Sequence, residues 1–218
     1  MKIPSKWTFN SNDVADNFDS HVREQLPWYD IVSNAIAHIG NHYIPDNGTV
    51  YDIGASTGNI EHVLSDVLDQ RNVRFIPVEK SPEMAKKYTG KHDVVEADAT
   101  EIQFEDFDFG VFFLSMMFIP PHKRMSLIES MMNNLRDDGA IVIVEKTIPI
   151  GGYVSTVLSR LTLKEKLNQG AQPQDIITKE LSLSGVQRPI SPEHLFKNYK
   201  YTEFFRFGEF GGYILEKK

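Results

Sequence analysis

The chain has 218 residues, 41% of them hydrophobic, enough for a core and for one domain with additions. It has no cysteine, which excludes disulfides, thiolate metal sites and cysteine nucleophiles, and it has no apolar run of about 18 residues that would span a membrane. A formal net charge of −7 argues against holding nucleic acid through the whole surface, so an RNA partner would need a local basic patch.

Met1-Lys2-Ile3-Pro4-Ser5-Lys6-Trp7 has no apolar signal core, and a cytoplasmic location is the expectation. Residues 1–13 are polar and read as loosely held, with Trp7 and Phe9 as anchors. Val14, Phe18, Val22 and Leu26 recur every fourth residue and predict a helical apolar face, ended by Pro27. A second helix follows, with Ile31, Ala35, Ile36 and Ile39 assigned to one face, and Asn47-Gly48 turns into a strand over Thr49–Ile53. These N-terminal helices occupy about 13–43.

Asp52-Ile53-Gly54-Ala55-Ser56-Thr57-Gly58-Asn59 reads as a strand end, a tight glycine turn and a helix start. The pattern is D-x-G-x-x-x-G and not G-x-G-x-x-G. A dinucleotide pyrophosphate is admitted by the extra glycine; a carboxylate at the turn suits a ligand with a cationic amino group. Ile60, Val63, Leu64, Val67 and Leu68 then form a helical face, and Asn72–Glu79 is a second strand ending in an acid placed for ribose hydroxyls. Ser81-Pro82-Glu83-Met84 is a helix entry, with serine at the cap and proline in the first turn.

His92 to Ala99 reads as a third strand ending at Asp98, and Asp106 to Phe113 as a fourth, apolar enough to be buried on both faces, with Leu114 to Phe118 at its carboxyl end. Pro121 to Arg136 is a helix facing inward through Met125, Ile128, Met131, Met132 and Leu135; Asp137-Asp138-Gly139 is a turn, and Ala140 to Lys146 a fifth strand. Residues of about 147–198 form a helical insertion: Tyr153 to Leu167 with Val154, Val157, Leu158 and Leu161 on one face, Gln174 to Leu183, and a start at Ser191-Pro192-Glu193. Tyr199 to Glu216 is an aromatic-rich hairpin. The order predicts one α/β domain over 1–218, a three-layer α/β/α sandwich with a mainly parallel sheet and a C-terminal antiparallel hairpin.

The turn Asp52 to Gly58, the string Glu79-Lys80-Ser81-Pro82-Glu83-Met84, Asp98 and the closing Glu145-Lys146 resemble the class I S-adenosylmethionine (SAM) methyltransferases, whose fold is Rossmann-like. Phe18-Asp19-Ser20-His21-Val22-Arg23 followed by Pro27-Trp28-Tyr29-Asp30 is similar to the carboxy-SAM synthase branch, which serves tRNA wobble-uridine modification. The resemblance runs from Phe18 to Leu215. It implies SAM as cofactor, held by Asp52, Gly54, Ala55, Ser56 and Gly58 at the turn, Glu79 and Lys80 at the ribose, Asp98 and Ala99 at the adenine, and Tyr29 lying over it. The branch has a polar residue where this chain has Phe113, and Ser115 is the substitute. The resemblance also implies an insertion that covers the substrate and forms part of a dimer contact.

In that branch an arginine following a lysine faces the carboxylate of carboxy-SAM. Lys179 matches the lysine and Glu180 the arginine position, with Arg188 as the alternative cation, so Glu180 and Arg188 are the substrate-binding candidates. The leading function is methyl transfer to a small-molecule or tRNA-modification-related acceptor. Carboxy-SAM synthesis from SAM and prephenate, and a catalytically inactive SAM-binding partner subunit, are the alternatives; an NAD-dependent oxidoreductase lacks its third glycine. No catalytic pair and no metal site are legible. His21, His62, His92, His122 and His194 are scattered and read as surface or structural histidines. The partners expected are a small-molecule substrate, tRNA only indirectly or through a local patch, no membrane, and a second copy of the chain.

Overall fold

A computed structural model describes residues 2–148 and 151–217. Positions 149 and 150, inside the expected insertion, and positions 1 and 218 lie outside the described residues. One seven-stranded sheet contains β1 (Thr49–Ile53), β2 (Arg74–Glu79), β3 (Val95–Glu96), β4 (Phe107–Phe113), β5 (Leu135–Lys146), β6 (Lys200–Phe207) and β7 (Phe210–Glu216). Their order is β3-β2-β1-β4-β5-β7-β6; β7 runs antiparallel to β5 and β6, and the remaining neighbours are parallel. The helices are α1 (Asn12–Gln25), α2 (Tyr29–Tyr43), α3 (Asn59–Gln70), α4 (Pro82–Ala85), α5 (Pro121–Asn134), α6 (Tyr153–Asn168), α7 (Pro173–Ser182) and α8 (Pro192–Leu195). No helix among the described residues is long and apolar enough to cross a membrane.

Alternation along the central strands sends side chains to two cores. Val50, Val111, Val142 and Val144 pack on α2 and α3, whereas Tyr51, Ile53, Phe112, Ile141 and Ile143 pack on α5 and Phe196. Strand order reverses about β1, with β2 on one side and β4 on the other. Ligands bind open α/β sheets at the carboxyl ends of the strands at such a switch point.

Four elements depart from the sequence expectation. On α2 the buried face is Tyr29, Val32, Ser33, Ile36 and Gly40, while Ile31 is 69% exposed. β3 is only two residues long at the sheet edge, because buried Glu61 captures the preceding stretch, accepting from the Lys91 amide at 2.6 Å and lying 2.8 Å from His92 Nδ1. Asp137-Asp138-Gly139 makes no reverse turn: β5 starts at Leu135 opposite Phe107 and resumes with Ala140 opposite Phe109, a bulge held by Arg136 Nη1 donating to Asp108 at 2.8 Å. The Val154 and Val157 face of α6 is exposed among the described residues.

Candidate functional site

The turn after β1 is set by backbone geometry. Gly54 has φ +79° and its N–H donates to Val78 O at 2.8 Å, and Ala55 N–H donates to the same oxygen at 3.0 Å. A Cβ on Gly54 would lie 2.5 Å from Ser115 Cβ, so two requirements, the left-handed φ and this close approach, demand glycine here. Ser56 follows at φ +54° and Gly58, at φ +101°, caps α3. Gly58 packs on the 88–90 loop and is not among the residues that line the cavity.

That cavity, about 450 Å³, opens at the carboxyl ends of β1, β2 and β4. Tyr29, Asp52, Gly54, Ala55, Ser56, Glu79, Lys80, Asp98, Ala99 and Ser115 all line it. Glu79 is braced from both sides, accepting from Ser56 N–H at 2.9 Å and Ser81 N–H at 2.7 Å, which leaves lone pairs for a ligand hydroxyl. Burial holds its pKa up against the pull of those amides. Asp98 accepts from Lys80 at 2.8 Å and from the Thr100 amide and hydroxyl. Burial pushes its carboxyl up, but Lys80 and Thr100 prevail and bring it down to about 2.

Asp52 is 1% exposed and its Oδ2 has no hydrogen-bond partner. Burial first, then Glu79 and Glu61, raise its pKa well above the usual carboxylate value. Ser56 Oγ and Ser115 Oγ are also buried without partners. A buried carboxyl without a counter-charge is destabilising. A ligand cation at this wall removes that penalty.

The other wall comes from β4. Leu114 sits at φ +60°, and Glu145 at the end of β5 fixes the next three residues, accepting from the amides of Ser115 at 2.8 Å, Met116 at 2.5 Å and Met117 at 3.1 Å. Burial pushes Glu145 up to about 8 against these amides and Arg124. Tyr29 packs 4.8 Å from Phe113, with the Arg23 guanidinium 5.1 Å over its ring.

The N-terminal segment is held at Trp7 and Phe9, the two anchors expected of it, and more firmly than its polar composition suggests. Trp7 is 5% exposed and its backbone N–H donates to Ser182 O at 2.8 Å, while Ser81 Oγ donates to Phe9 O at 2.9 Å. Trp7, Thr8, Phe9 and Asn10 thereby wall the cavity.

A second chamber of about 260 Å³ shares Trp7, Phe9, Phe18, Leu114 and Phe118 with the first. Its polar wall includes Lys146 from β5, Lys166 from α6, and Lys179 and Glu180 from α7. Glu180 accepts from Lys166 at 2.9 Å and lies 3.9 Å from Lys146 Nζ; against the upward push of burial, these lysines hold its carboxyl below the usual range. Glu209 lies 3.5 Å from Lys146. Arg188, the second substrate candidate, is exposed and lines neither cavity; among the described residues its backbone alone is hydrogen-bonded, its N–H donating to Met117 O and its carbonyl accepting from Arg124.

His21, expected to be a surface or structural histidine, is half-buried. It lines the second chamber, stacks 6.2 Å from Trp7 and lies with Nε2 2.5 Å from Lys179 Nζ. The two residues are 158 positions apart, and no local spacing relates them. Lys166, 7% exposed, is likewise brought in by tertiary packing.

Comparison with known proteins adds four relationships. Residues 51–143 match the family model described as a methyltransferase domain. A carboxy-S-adenosyl-L-methionine synthase from Ruthia magnifica subsp. Calyptogena magnifica is 30% identical, the match covering 91% of this chain and 86% of that protein. The corresponding synthase of Staphylococcus epidermidis is 28% identical, with 86% and 84% covered. Among solved structures, the plantazolicin methyltransferase BpumL in complex with SAH superposes at TM-score 0.63 with 11% identity, over 94% of this chain and 90% of that one, a likeness of fold.

Proposed function

The chain belongs to the class I SAM-dependent methyltransferases, and on that premise we propose that it transfers the methyl group of SAM to a small acceptor in the second chamber. SAM supplies a methyl group activated on a sulfonium. The residues fit that cofactor. Asp52, buried without a counter-charge, receives the amino group of the methionine part; Glu79, braced by two amides, accepts from the ribose hydroxyls; Asp98 and Ala99 face the adenine, and Ser115 supplies the hydroxyl that Phe113 lacks. Trp7 to Asn10 and Tyr29 exclude water over the cavity. Positioning acceptor and methyl in line is the main contribution the protein makes to such a reaction.

One observation carries methyl transfer over carboxy-SAM chemistry. By the resemblance Glu180 falls where the related branch uses an arginine; it is engaged by Lys166 and Lys146, and among the described residues no arginine lines the second chamber. A carboxylate on the transferred carbon would meet a carboxylate. The exposed Tyr153, Val154 and Val157 of α6 suit a second copy of this chain, and the acidic surface suits a small acceptor better than bare tRNA. The test is mass spectrometry of the small molecule that co-purifies: SAM or its demethylated product supports the reading, and carboxy-SAM or NAD contradicts it.

A further inference from the structure

The second chamber holds three lysines and two glutamates. Glu180 and Glu209 answer Lys146 and Lys166; Lys179 has no carboxylate within 4 Å among the described residues. Its nitrogen meets only the face of Trp7, 4.8 Å from the ring centroid, and His21 Nε2 at 2.5 Å. Two nitrogens at that separation hold one proton between them, so they are not both cations. Burial first, then Lys179, bring His21 down to about 3, so its ring is neutral, and Nε2 accepts from the Lys179 ammonium whenever that nitrogen is protonated. Burial and Lys166 bring Lys179 down to about 7 against the pull of Glu180 and Glu24. An amine in this state gains a proton as readily as it loses one at neutral pH.

Phe9, Phe18, Phe118 and Phe210 give the chamber aromatic walls, with Gln25, Ser159, Thr162 and Gln187 as neutral polar groups among them, and about 260 Å³ accommodates one substituted ring. It adjoins the cofactor cavity through Leu114 and Phe118. We infer that the acceptor is a small aromatic hydroxyl compound and that Lys179 takes its proton during methyl transfer, with His21 as the positioning residue that aims the Lys179 nitrogen. The inference rests on the methyl-transfer reading and specifies its substrate class. The acceptor oxygen forms a bond to the methyl carbon, the carbon–sulfur bond breaks with its electron pair left on sulfur, and the hydroxyl proton passes to Lys179 Nζ, which returns it to solvent. The charged groups set around this nitrogen are His21 and Glu24 on α1, Lys166 on α6, Glu180 on α7, Lys146 on β5 and Glu209 in the β6–β7 turn.

The probe is 4-nitrophenol, whose ionised form has its own visible absorption. It is titrated into SAM-loaded protein about one pH unit below its solution pKa. The expected result is a bound probe that is mostly phenolate, a signal lost at least tenfold in Lys179→Met and displaced to higher pH in His21→Ala, with SAM affinity unchanged in both by calorimetry. A bound probe with the neutral spectrum, a phenolate signal that survives Lys179→Met, or no binding to SAM-loaded protein overturns the inference. A second readout needs no variant: acetylation of Lys179 in the native protein, located by mass spectrometry across pH, is half-maximal near 7 if the inference holds and near 10.5 if it does not. Loss of SAM binding altogether would instead strike the methyl-transfer reading.

Discussion

Asp19 Oδ1 accepts a hydrogen bond from Thr57 Oγ1 at 2.7 Å, joining α1 to the glycine turn 38 residues later. Arg23 continues the clamp, donating to Asn59 Oδ1 at 3.2 Å and to Asp30 Oδ1 at 2.9 Å. The segment that marks the branch in sequence is thus the brace of the cofactor turn. The Asp19 side chain is 56% exposed, so this charged hydrogen bond lies at the low end of about 1.5–3 kcal/mol. Asp19→Ala is expected to weaken SAM about tenfold in calorimetry while the circular dichroism spectrum stays that of the parent. Unchanged affinity would contradict the bracing role.

Glu79→Gln keeps the size of the side chain and removes its charge. One amide bond to Ser56 or Ser81 survives, and the acceptor for the paired ribose hydroxyls weakens. The expected loss of SAM affinity is about one to two decades. Affinity within twofold of the parent, with the fold intact, would place the ribose elsewhere.

Asp52→Asn separates binding from stability. The folded-state pKa of Asp52 is raised above its unfolded value, so between the two the folded state holds a proton that the unfolded state has released. Stability of the ligand-free protein therefore falls as pH rises from about 4. In Asp52→Asn that fall disappears, and the variant gains on the parent with increasing pH while binding SAM roughly tenfold more weakly. Thermal unfolding at pH 5 and pH 8, paired with calorimetry, checks both signs; a variant less stable than the parent at pH 8 would contradict the account.

The strand–turn–helix unit is legible because each step has a local cause: apolar Thr49–Ile53, positive φ at Gly54 and Gly58, Ser81 accepting from Met84 N–H at the cap of α4. Glu79 is legible for the same reason, since it closes β2, whereas Asp98 lies two residues past the end of β3. What is not legible is tertiary. Ile31 looks like a core residue by period, yet the start of α2 is rotated so that Tyr29 and Val32 face inward. Trp7 is ordered by Ser182, and His21 meets Lys179 only because α7 folds over α1. The insertion helix α6 has its Val154 and Val157 spacing right, but the periodicity of a helix does not say which faces the rest of the fold covers.

Lys179→Met is expected to stabilise the ligand-free protein. The folded-state pKa of Lys179, about 7, lies below its ordinary 10.5, so between those values the unfolded state binds the extra proton and stability rises with pH. Below pH 7 the destabilisation by the buried cation is fully present. The variant should therefore gain at least about 1 kcal/mol at pH 6, roughly 2–4 °C in Tm, and the gain should shrink toward pH 10. Equal stability at pH 6 would contradict a desolvated Lys179.

The proposed site takes a methyl sulfonium and not its carboxylated form, on the reading that Glu180, held by Lys166 and Lys146, falls at the position of the carboxylate-binding arginine. The most direct measurement is competition between equal amounts of SAM and carboxy-SAM, with the bound ligand identified by mass spectrometry. The account predicts SAM on the native protein and a shift toward carboxy-SAM in Glu180→Arg. Carboxy-SAM bound in preference by the native protein would contradict it.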